Sequence, residues 1–172
     1  MKPAAANLSV WVSNREAWIR IGGRASFNNS VDFKTLITSL AGDGCSHFVL
    51  DLSECLLMDS TFLGVLAGLG IKYPHNGNNN PAFELLNPNQ RIADLLENLG
   101  VVHLFQIVHG RSCPQTMKDV ESTPEQSNGA DVTRTCLEAH ETLMKVNPGN
   151  VPRFKDVAEY LAEDLRRKEG NK

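Results

Sequence analysis

Residues 48–66, FVLDLSECLLMDSTFLGVL, lead from one apolar segment through a short polar break into another. The first segment, residues 47–52, is almost continuously apolar, which is typical of a central strand covered on both faces. The second begins near Ser60 and is apolar over so much of a helical surface that the helix must be largely buried. A buried strand followed by a buried helix predicts an α/β fold.

Strand and helix patterns continue on both sides of this stretch. Turn-forming residues such as glycine, proline and asparagine separate them. In chain order, the patterns predict a hairpin with strands at 8–12 and 17–21, a helix from capping residues 28–30 to residue 40, the strand at 47–52, the helix at 60–71, a strand at 82–86, a helix at 92–99 and a last strand within 101–108. This order predicts a mixed β-sheet with helices packed on it.

The C-terminal third of the chain differs from this α/β region. Between Gly110 and Gly129 the sequence is rich in Ser, Thr, Pro, Glu and Gln, which is typical of a linker. Two amphipathic helical patterns follow, with a turn at 147–150 between them. We therefore expect an α/β domain over 1–110, a polar linker over 111–130 and a C-terminal helical extension over 131–172. The apolar stripes of this hairpin need a partner surface, either the sheet domain or a second protein.

Composition excludes several function classes. A formal net charge of −3 and a pI of about 5.9 give no basic footprint for nucleic acid. No stretch approaches the ~20 apolar residues of a membrane span, and the N-terminus lacks the apolar run of a signal peptide, so we expect a cytoplasmic protein that binds no membrane. The four cysteines form no Cys-x-x-Cys pair, and Cys136 with His140 supplies only two potential ligands. We expect free thiols, no metal and no cofactor.

The most specific motif lies in the polar break. Met58-Asp59-Ser60-Thr61, followed by the pair Leu63-Gly64, comes directly after the central strand and opens a helix. This segment resembles the signature of STAS domains and of bacterial anti-sigma factor antagonists (anti-anti-sigma factors), and by element order the resemblance extends over residues 8–108. In that family the serine after the aspartate is the phosphate acceptor, which here is Ser60. The resemblance thus implies a STAS-like fold and a phosphorylated signalling protein.

The resemblance also implies partners and an interface. In the unphosphorylated state such a protein binds an anti-sigma factor that is also a serine kinase. Phosphorylation of the serine ends this interaction. The exchange of partners regulates sigma-factor-dependent transcription. A phosphatase is a further candidate partner. The implied interface comprises two groups of residues, Asp59, Ser60, Thr61, Phe62 and Gly64 around the motif and Ser26, Phe27, Asn28 and Asn29 in the loop after the second strand.

Two positions depart from the family pattern. Phe62 stands where the family usually has glycine, and its ring either narrows the choice of partner or points into the core. Ser26 stands where many relatives have an aspartate in a loop that faces the kinase. The second departure bears on partner identity rather than on the fold.

The chemistry of Ser60 is consistent with modification. Asp59, Ser60 and Thr61 are good helix-capping residue types, and the free N–H groups of a helix start stabilise an added phosphate. A phosphoserine adds about −1.5 to −2 charges near pH 7, which is enough to repel a partner that fitted the hydroxyl. The simpler alternative is that Ser60 only caps the helix.

Two other function classes compete with the switch. An enzyme with a Ser60 nucleophile lacks a Gly-x-Ser-x-Gly elbow and a histidine in a recognisable catalytic context. Asp51 ends a strand as in response-regulator receivers, but the acidic pair and lysine of a receiver are missing. We therefore expect no enzyme. A scaffold that binds its partner constitutively, with Ser60 never modified, remains the serious rival.

Overall fold

The structure is a computed structural model that describes residues 7–114, 116–120 and 129–170. The strands are β1 (Asn7–Ser13), β2 (Glu16–Ala25), β3 (His47–Asp51), β4 (Cys55–Met58), β5 (Phe83–Leu86), β6 (Gln106–Val108) and β7 (Lys118–Asp119). The helices are α1 (Phe27–Gly42), α2 (Ser60–Lys72), α3 (Gln90–Asn98), α4 (Gly129–Val146) and α5 (Val151–Gly170). Residues 1–6 lie outside the described residues. The expectation that the N-terminus carries no signal peptide concerns these residues.

The strands form one mixed sheet in the order β6-β5-β3-β2-β1-β7. β1 pairs antiparallel with β2 and β7, whereas β2, β3, β5 and β6 run parallel. β4 continues alongside the end of β2, beyond the end of β3. The predicted α/β architecture with a mixed sheet and helices on it is therefore confirmed.

The main core lies between the sheet and the helices. It contains alternate residues of the central strands together with the apolar faces of α1 and α2, and its fully buried members include Ile19, Leu50, Leu85, Phe33 and Leu66. A smaller cluster on the other residues of the same strands joins Trp18, Val49 and Leu86 to Cys113. Both faces of the central strands are thus covered, which explains why their sequences are almost continuously apolar.

Local boundaries differ from the sequence prediction in three places. α1 begins at Phe27, because Ser26 and Asn29 form a reciprocal capping box. The predicted cap at 28–30 is therefore wrong by one turn. Residues 55–58 form the additional strand β4. The apolar stretch 101–108 contains a short 3₁₀ helix at Val102–Leu104 before β6 begins.

Part of the predicted linker packs against the sheet. Cys113 is buried in the smaller cluster, and Lys118–Asp119 pair with Ser9 and Val10 of β1. Backbone pairing at a sheet edge needs no apolar side chains, so the polar composition gave no sign of it. Residues 115 and 121–128 of the predicted linker lie outside the described residues.

The two C-terminal helices form the predicted hairpin, and α4 packs directly on the α/β domain. Ala139 and Leu143 belong to the main core cluster. At the turn between the helices, the side-chain amide of Asn150 donates to the carbonyls of Leu99 and Leu143, both at 2.9 Å. The sheet domain, rather than only a second protein, is therefore the partner surface of the hairpin. Within the described residues, no helix combines the length and apolar character needed to cross a membrane.

Candidate functional site

The site is organised by the carboxylate of Asp59, which holds the starts of two helices. Its Oδ1 accepts from the backbone N–H of Phe62 at 2.8 Å, and its Oδ2 accepts from the backbone N–H of Phe27 at 2.9 Å. The first bond caps α2 and the second lies at the start of α1. Because helix N-termini favour negative charge, one aspartate stabilises both ends and fixes them side by side.

The loop after β2 lies at this same edge. The backbone N–H of Asp59 donates to the carbonyl of Ala25 at 2.9 Å, and this places residues 26–29 beside the start of α2. Phe27 is 45% exposed and Asn28 is exposed, whereas Ser26 is half-buried. Asn29 is buried and donates to the Arg24 carbonyl at 3.3 Å. The structure thus brings the two predicted groups of interface residues together at one edge.

Ser60 is the first residue of α2 and is half-buried. Its Oγ lies 3.0 Å from Nε2 of His140 on α4. The other ring nitrogen, Nδ1, lies 2.7 Å from the Cys136 carbonyl. Since a carbonyl only accepts, Nδ1 carries a proton, and in the neutral imidazole with this tautomer Nε2 accepts the hydrogen bond that the Ser60 hydroxyl donates. The hydroxyl is therefore held by α4.

The histidine itself is firmly placed. His140 is 6% exposed, and its ring packs edge-on against Phe154 of α5 with the centroids 5.0 Å apart. Both helices of the hairpin therefore fix the group that contacts Ser60. The i, i+4 spacing of Cys136 and His140 places them on one helix face but carries no information on what that face contacts.

Three further motif residues point away from solvent. Phe62 is fully buried and packs on Phe33 with the ring centroids 4.8 Å apart, so its ring points into the core. Thr61 is 6% exposed, and its hydroxyl contacts the Cys136 sulfur at 3.8 Å. Gly64 is buried against Ala139.

The contact between α2 and α4 depends on Gly64. A Cβ built at this position would lie 2.7 Å from both the carbonyl carbon and the Cβ of Ala139, closer than real Cβ atoms approach such groups. The two helices can approach this closely only because a glycine faces a small residue. α4 also contacts α1, where Lys34 forms a 3.1 Å ion pair with Glu138 of α4. α4 therefore lies over the exposed side of both helices that Asp59 joins.

A nucleophilic role for Ser60 would require a substrate site beside it. A groove of about 220 Å³ between α1, α2 and α4 is lined by Lys34, Gly68 and Glu138 among others, but its lining includes neither Ser60 nor His140. Among the described residues, no group of three His, Cys, Asp or Glu side chains is arranged to hold a metal ion.

Asp51, the other acidic residue considered from the sequence, has structural partners. It is 4% exposed and accepts from the backbone and hydroxyl of Ser53 at 3.0 and 2.7 Å, with Arg20 at 3.5 Å. Burial acts to raise the pKa of Asp51, but the two hydrogen bonds from Ser53 and the charge of Arg20 hold it below its ordinary value. The neighbouring Cys113 is affected in the opposite sense: burial, and then the Asp51 carboxylate, raise the pKa of its thiol to about 12.

A family model for the STAS domain matches residues 8–117, which is most of the chain. The chain belongs to the STAS-domain family. The match ends before α4, so the helical hairpin lies outside the matched residues. The STAS region thus contains Asp59, Ser60 and Gly64, whereas the residues that cover them lie beyond it.

Solved structures similar to this STAS chain include two anti-sigma factor antagonists. One is SpoIIAA in its unphosphorylated form, with 16% identity, a TM-score of 0.50, and coverage of 59% of this chain and 87% of that chain. Another is an anti-sigma factor antagonist from Mycobacterium paratuberculosis, with 16% identity, a TM-score of 0.50, and coverage of 60% and 85%. At this identity the likeness establishes the shared fold. No curated protein sequence matches the chain.

Proposed function

We propose that this STAS protein is an anti-sigma factor antagonist. Its unphosphorylated form binds an anti-sigma factor that is also a serine kinase, and phosphorylation of Ser60 releases it, so that sigma-factor-dependent transcription is regulated in the cytoplasm. The observation that carries the proposal is the position of Ser60 at the first residue of α2, directly after the aspartate that joins the starts of α1 and α2. The likeness of the fold to anti-sigma factor antagonists supports the choice of partner class.

The proposed reaction takes place on this chain but is catalysed by its partner. The γ-phosphoryl group of ATP is transferred to Ser60 Oγ, ADP leaves, and a base of the kinase takes the hydroxyl proton. The chain itself then needs no catalytic residue, metal or cofactor, and a phosphatase restores the hydroxyl. Nucleic acid and membrane play no part in this exchange.

Release follows from charge and size. The phosphate adds about −1.5 to −2 charges at a surface that already carries Asp59, whose two oxygens are both engaged with helix N–H groups. A partner that fitted closely over a neutral hydroxyl then meets a bulky dianion. The exposed ring of Phe27 and the side chain of Asn28 lie in the same predicted interface and supply contacts that the phosphate does not alter.

Phosphopeptide mass spectrometry on the protein isolated from its own cells tests the proposal. The expected result is a phosphate on the peptide that contains Ser60, and its loss in the Ser60→Ala variant. A well-covered Ser60 peptide without phosphate across growth and stress conditions would contradict the proposal.

A constitutive scaffold is the second candidate, and one observation favours it. The Ser60 hydroxyl is already engaged by a buried histidine of the same chain, which is a structural role for an unmodified serine. A Ser60→Asp variant separates the two candidates in co-purification from the source cells. The switch predicts loss of the partner with the fold retained, and the scaffold predicts unchanged recovery of the partner.

A further inference from the structure

The proposed interface and the docking site of α4 overlap. The hydroxyl of Ser60 is bonded to His140, Thr61 contacts Cys136, and Gly64 faces Ala139. These contacts join the first two turns of α2 to two adjacent turns of α4. Three of the motif residues expected to meet a partner are therefore covered by the chain's own helix, while Phe27 and Asn28 at the edge of the site remain exposed.

In this arrangement His140 restricts the approach of a kinase to the half-buried Ser60 hydroxyl. Phosphoryl transfer requires the γ-phosphorus to come into line with Ser60 Oγ, but at 3.0 Å from Nε2 the imidazole of His140 occupies one side of that oxygen. The ring cannot simply turn aside, because Cys136 holds its Nδ1 and Phe154 packs against it. Full exposure of the Ser60 hydroxyl therefore requires α4 to move.

A phosphate on Ser60 also works against the docked helix. Phosphorylation removes the hydroxyl hydrogen that the Ser60 Oγ donates to Nε2, and the bulky phosphoryl group must then be accommodated where the ring lies 3.0 Å from Oγ. One turn further along, the helices are so close that a Cβ at Gly64 would lie 2.7 Å from the carbonyl carbon of Ala139, so α4 has little room to tilt towards α2 there. A phosphate on Ser60 therefore opposes the docked position of α4.

The hairpin is an addition to the STAS region rather than a part of it. The family match ends at residue 117, before α4 begins. α5 contributes little to the core, with Ala158 as its one buried residue among those described. The hairpin is held mainly by α4 and by the Asn150 hydrogen bonds at the turn.

We propose that the α4–α5 hairpin is an intramolecular cover of the Ser60 surface, which competes with the partner and protects Ser60 from phosphorylation until it is displaced. This inference rests on the proposed function of Ser60. Docking of the hairpin and phosphorylation of Ser60 are linked equilibria. The factor by which a phosphate on Ser60 lowers the equilibrium constant for docking is also the factor by which docking lowers the equilibrium constant for phosphorylation. The docked chain is then a third state, unphosphorylated but not available to its partner.

The first test needs no kinase. Phosphoserine is incorporated at position 60 of the full chain during translation, and hydrogen exchange of the α4 backbone amides is measured by mass spectrometry. The matched control carries phosphoserine at position 39, because Ser39 is an exposed residue of α1. We expect exchange in α4 to be about tenfold faster or more with the phosphate at position 60 than at 39, while β3 and β5 keep their protection. Equal protection of α4 in the two proteins would overturn the inference.

The second test uses an ATP-supplemented extract of the source cells and compares Ala139→Lys with Glu141→Lys. Both place a lysine on α4, but Ala139 is 2% exposed against α2 whereas Glu141 is exposed to solvent. We expect Ser60 to be phosphorylated about tenfold faster in Ala139→Lys than in wild type or Glu141→Lys. Hydrogen exchange of β3 and β5 verifies that the domain remains folded.

The outcomes separate this inference from the proposed function. Equal phosphorylation of Ser60 in all three proteins would support the proposed function and overturn the cover. No phosphorylation in any of them would count against the proposed function, and the phosphoserine experiment would still decide whether α4 and the phosphate exclude each other.

Discussion

Substitution of glycine by alanine at two positions of α2 gives a sharp test of how α4 sits on the STAS domain. Gly64 and Gly68 are one helical turn apart and both lie on the side of α2 that faces α4. A Cβ at Gly64 would lie 2.7 Å from backbone and side-chain carbon atoms of Ala139. A Cβ at Gly68 would meet only the side chain of Thr142, at 3.8 Å or more, which is ordinary van der Waals contact. The added methyl group therefore clashes with α4 at position 64 and fits against it at position 68.

The expected magnitudes follow from two effects of different sign. In a helix interior, alanine is favoured over glycine by about 0.8–1.0 kcal/mol, and this gain applies at both positions. Overpacking of a close contact costs about 1–3 kcal/mol, and this cost applies only at Gly64. We expect Gly68→Ala to be more stable than wild type and Gly64→Ala to be less stable than Gly68→Ala by about 1–3 kcal/mol.

Urea unfolding of the two variants measures the difference in the free energy of unfolding, and hydrogen exchange shows where it arises. If the docked helix gives way, α4 amides lose protection in Gly64→Ala while the strands retain theirs. Two variants of equal stability, with α4 equally protected in both, would refute the close approach of α4 to α2 and with it the argument that α4 covers the Ser60 surface.

Three further predictions concern polar side chains that make several hydrogen bonds. Asp59→Ala removes the carboxylate that caps α2 and binds the start of α1, and it should lower the free energy of unfolding by about 0.5–2 kcal/mol in urea. Asn150→Ala leaves two carbonyls without their donor and should cost about 1–3 kcal/mol, with faster exchange confined to the hairpin if α4 undocks before the domain unfolds. Because the pKa of Asp51 is lowered in the folded state, its ionised form stabilises the fold above the unfolded pKa of about 3.9, and the stability advantage over Asp51→Asn should shrink as the pH falls below that value. An advantage of Asp51 that grows as the pH falls below that value would contradict the assignment.

The sequence was sufficient to predict the parts of the fold that rest on local patterns. The apolar run of β3, the buried helix that begins at Ser60 and the hairpin of α4 and α5 all follow from periodicity within one segment. β7 was not predicted, because two polar residues paired at a sheet edge have no apolar pattern. The sequence also could not show that α4 lies on α2, since that depends on two segments that are far apart in the chain.

His140 illustrates the same limit within the site. Its partner Ser60 is 80 residues away, and neither residue has a neighbour in sequence that indicates the other. A histidine in an amphipathic helix pattern looks like any half-buried polar residue. Only the docking of α4, which depends on the small residues Gly64 and Ala139, brings the imidazole to the hydroxyl. The small side-chain volume at the contact of Gly64, which belongs to the motif, with Ala139, which does not, thus determines the environment of Ser60.

The two departures from the family pattern also become interpretable in physical terms. Phe62 fills the core against Phe33, so the ring that replaces the family glycine changes packing inside the domain and leaves the surface unaltered. Ser26 caps α1, a role that aspartate fulfils equally well, so the cap is retained while one negative charge is lost. Asp59 is a fixed charge of the surface next to Ser60, and both of its oxygens are bound to helix N–H groups. Under the proposed function, a phosphate on Ser60 adds about −1.5 to −2 charges beside this engaged carboxylate, and this added charge is the change that distinguishes the two states for a partner.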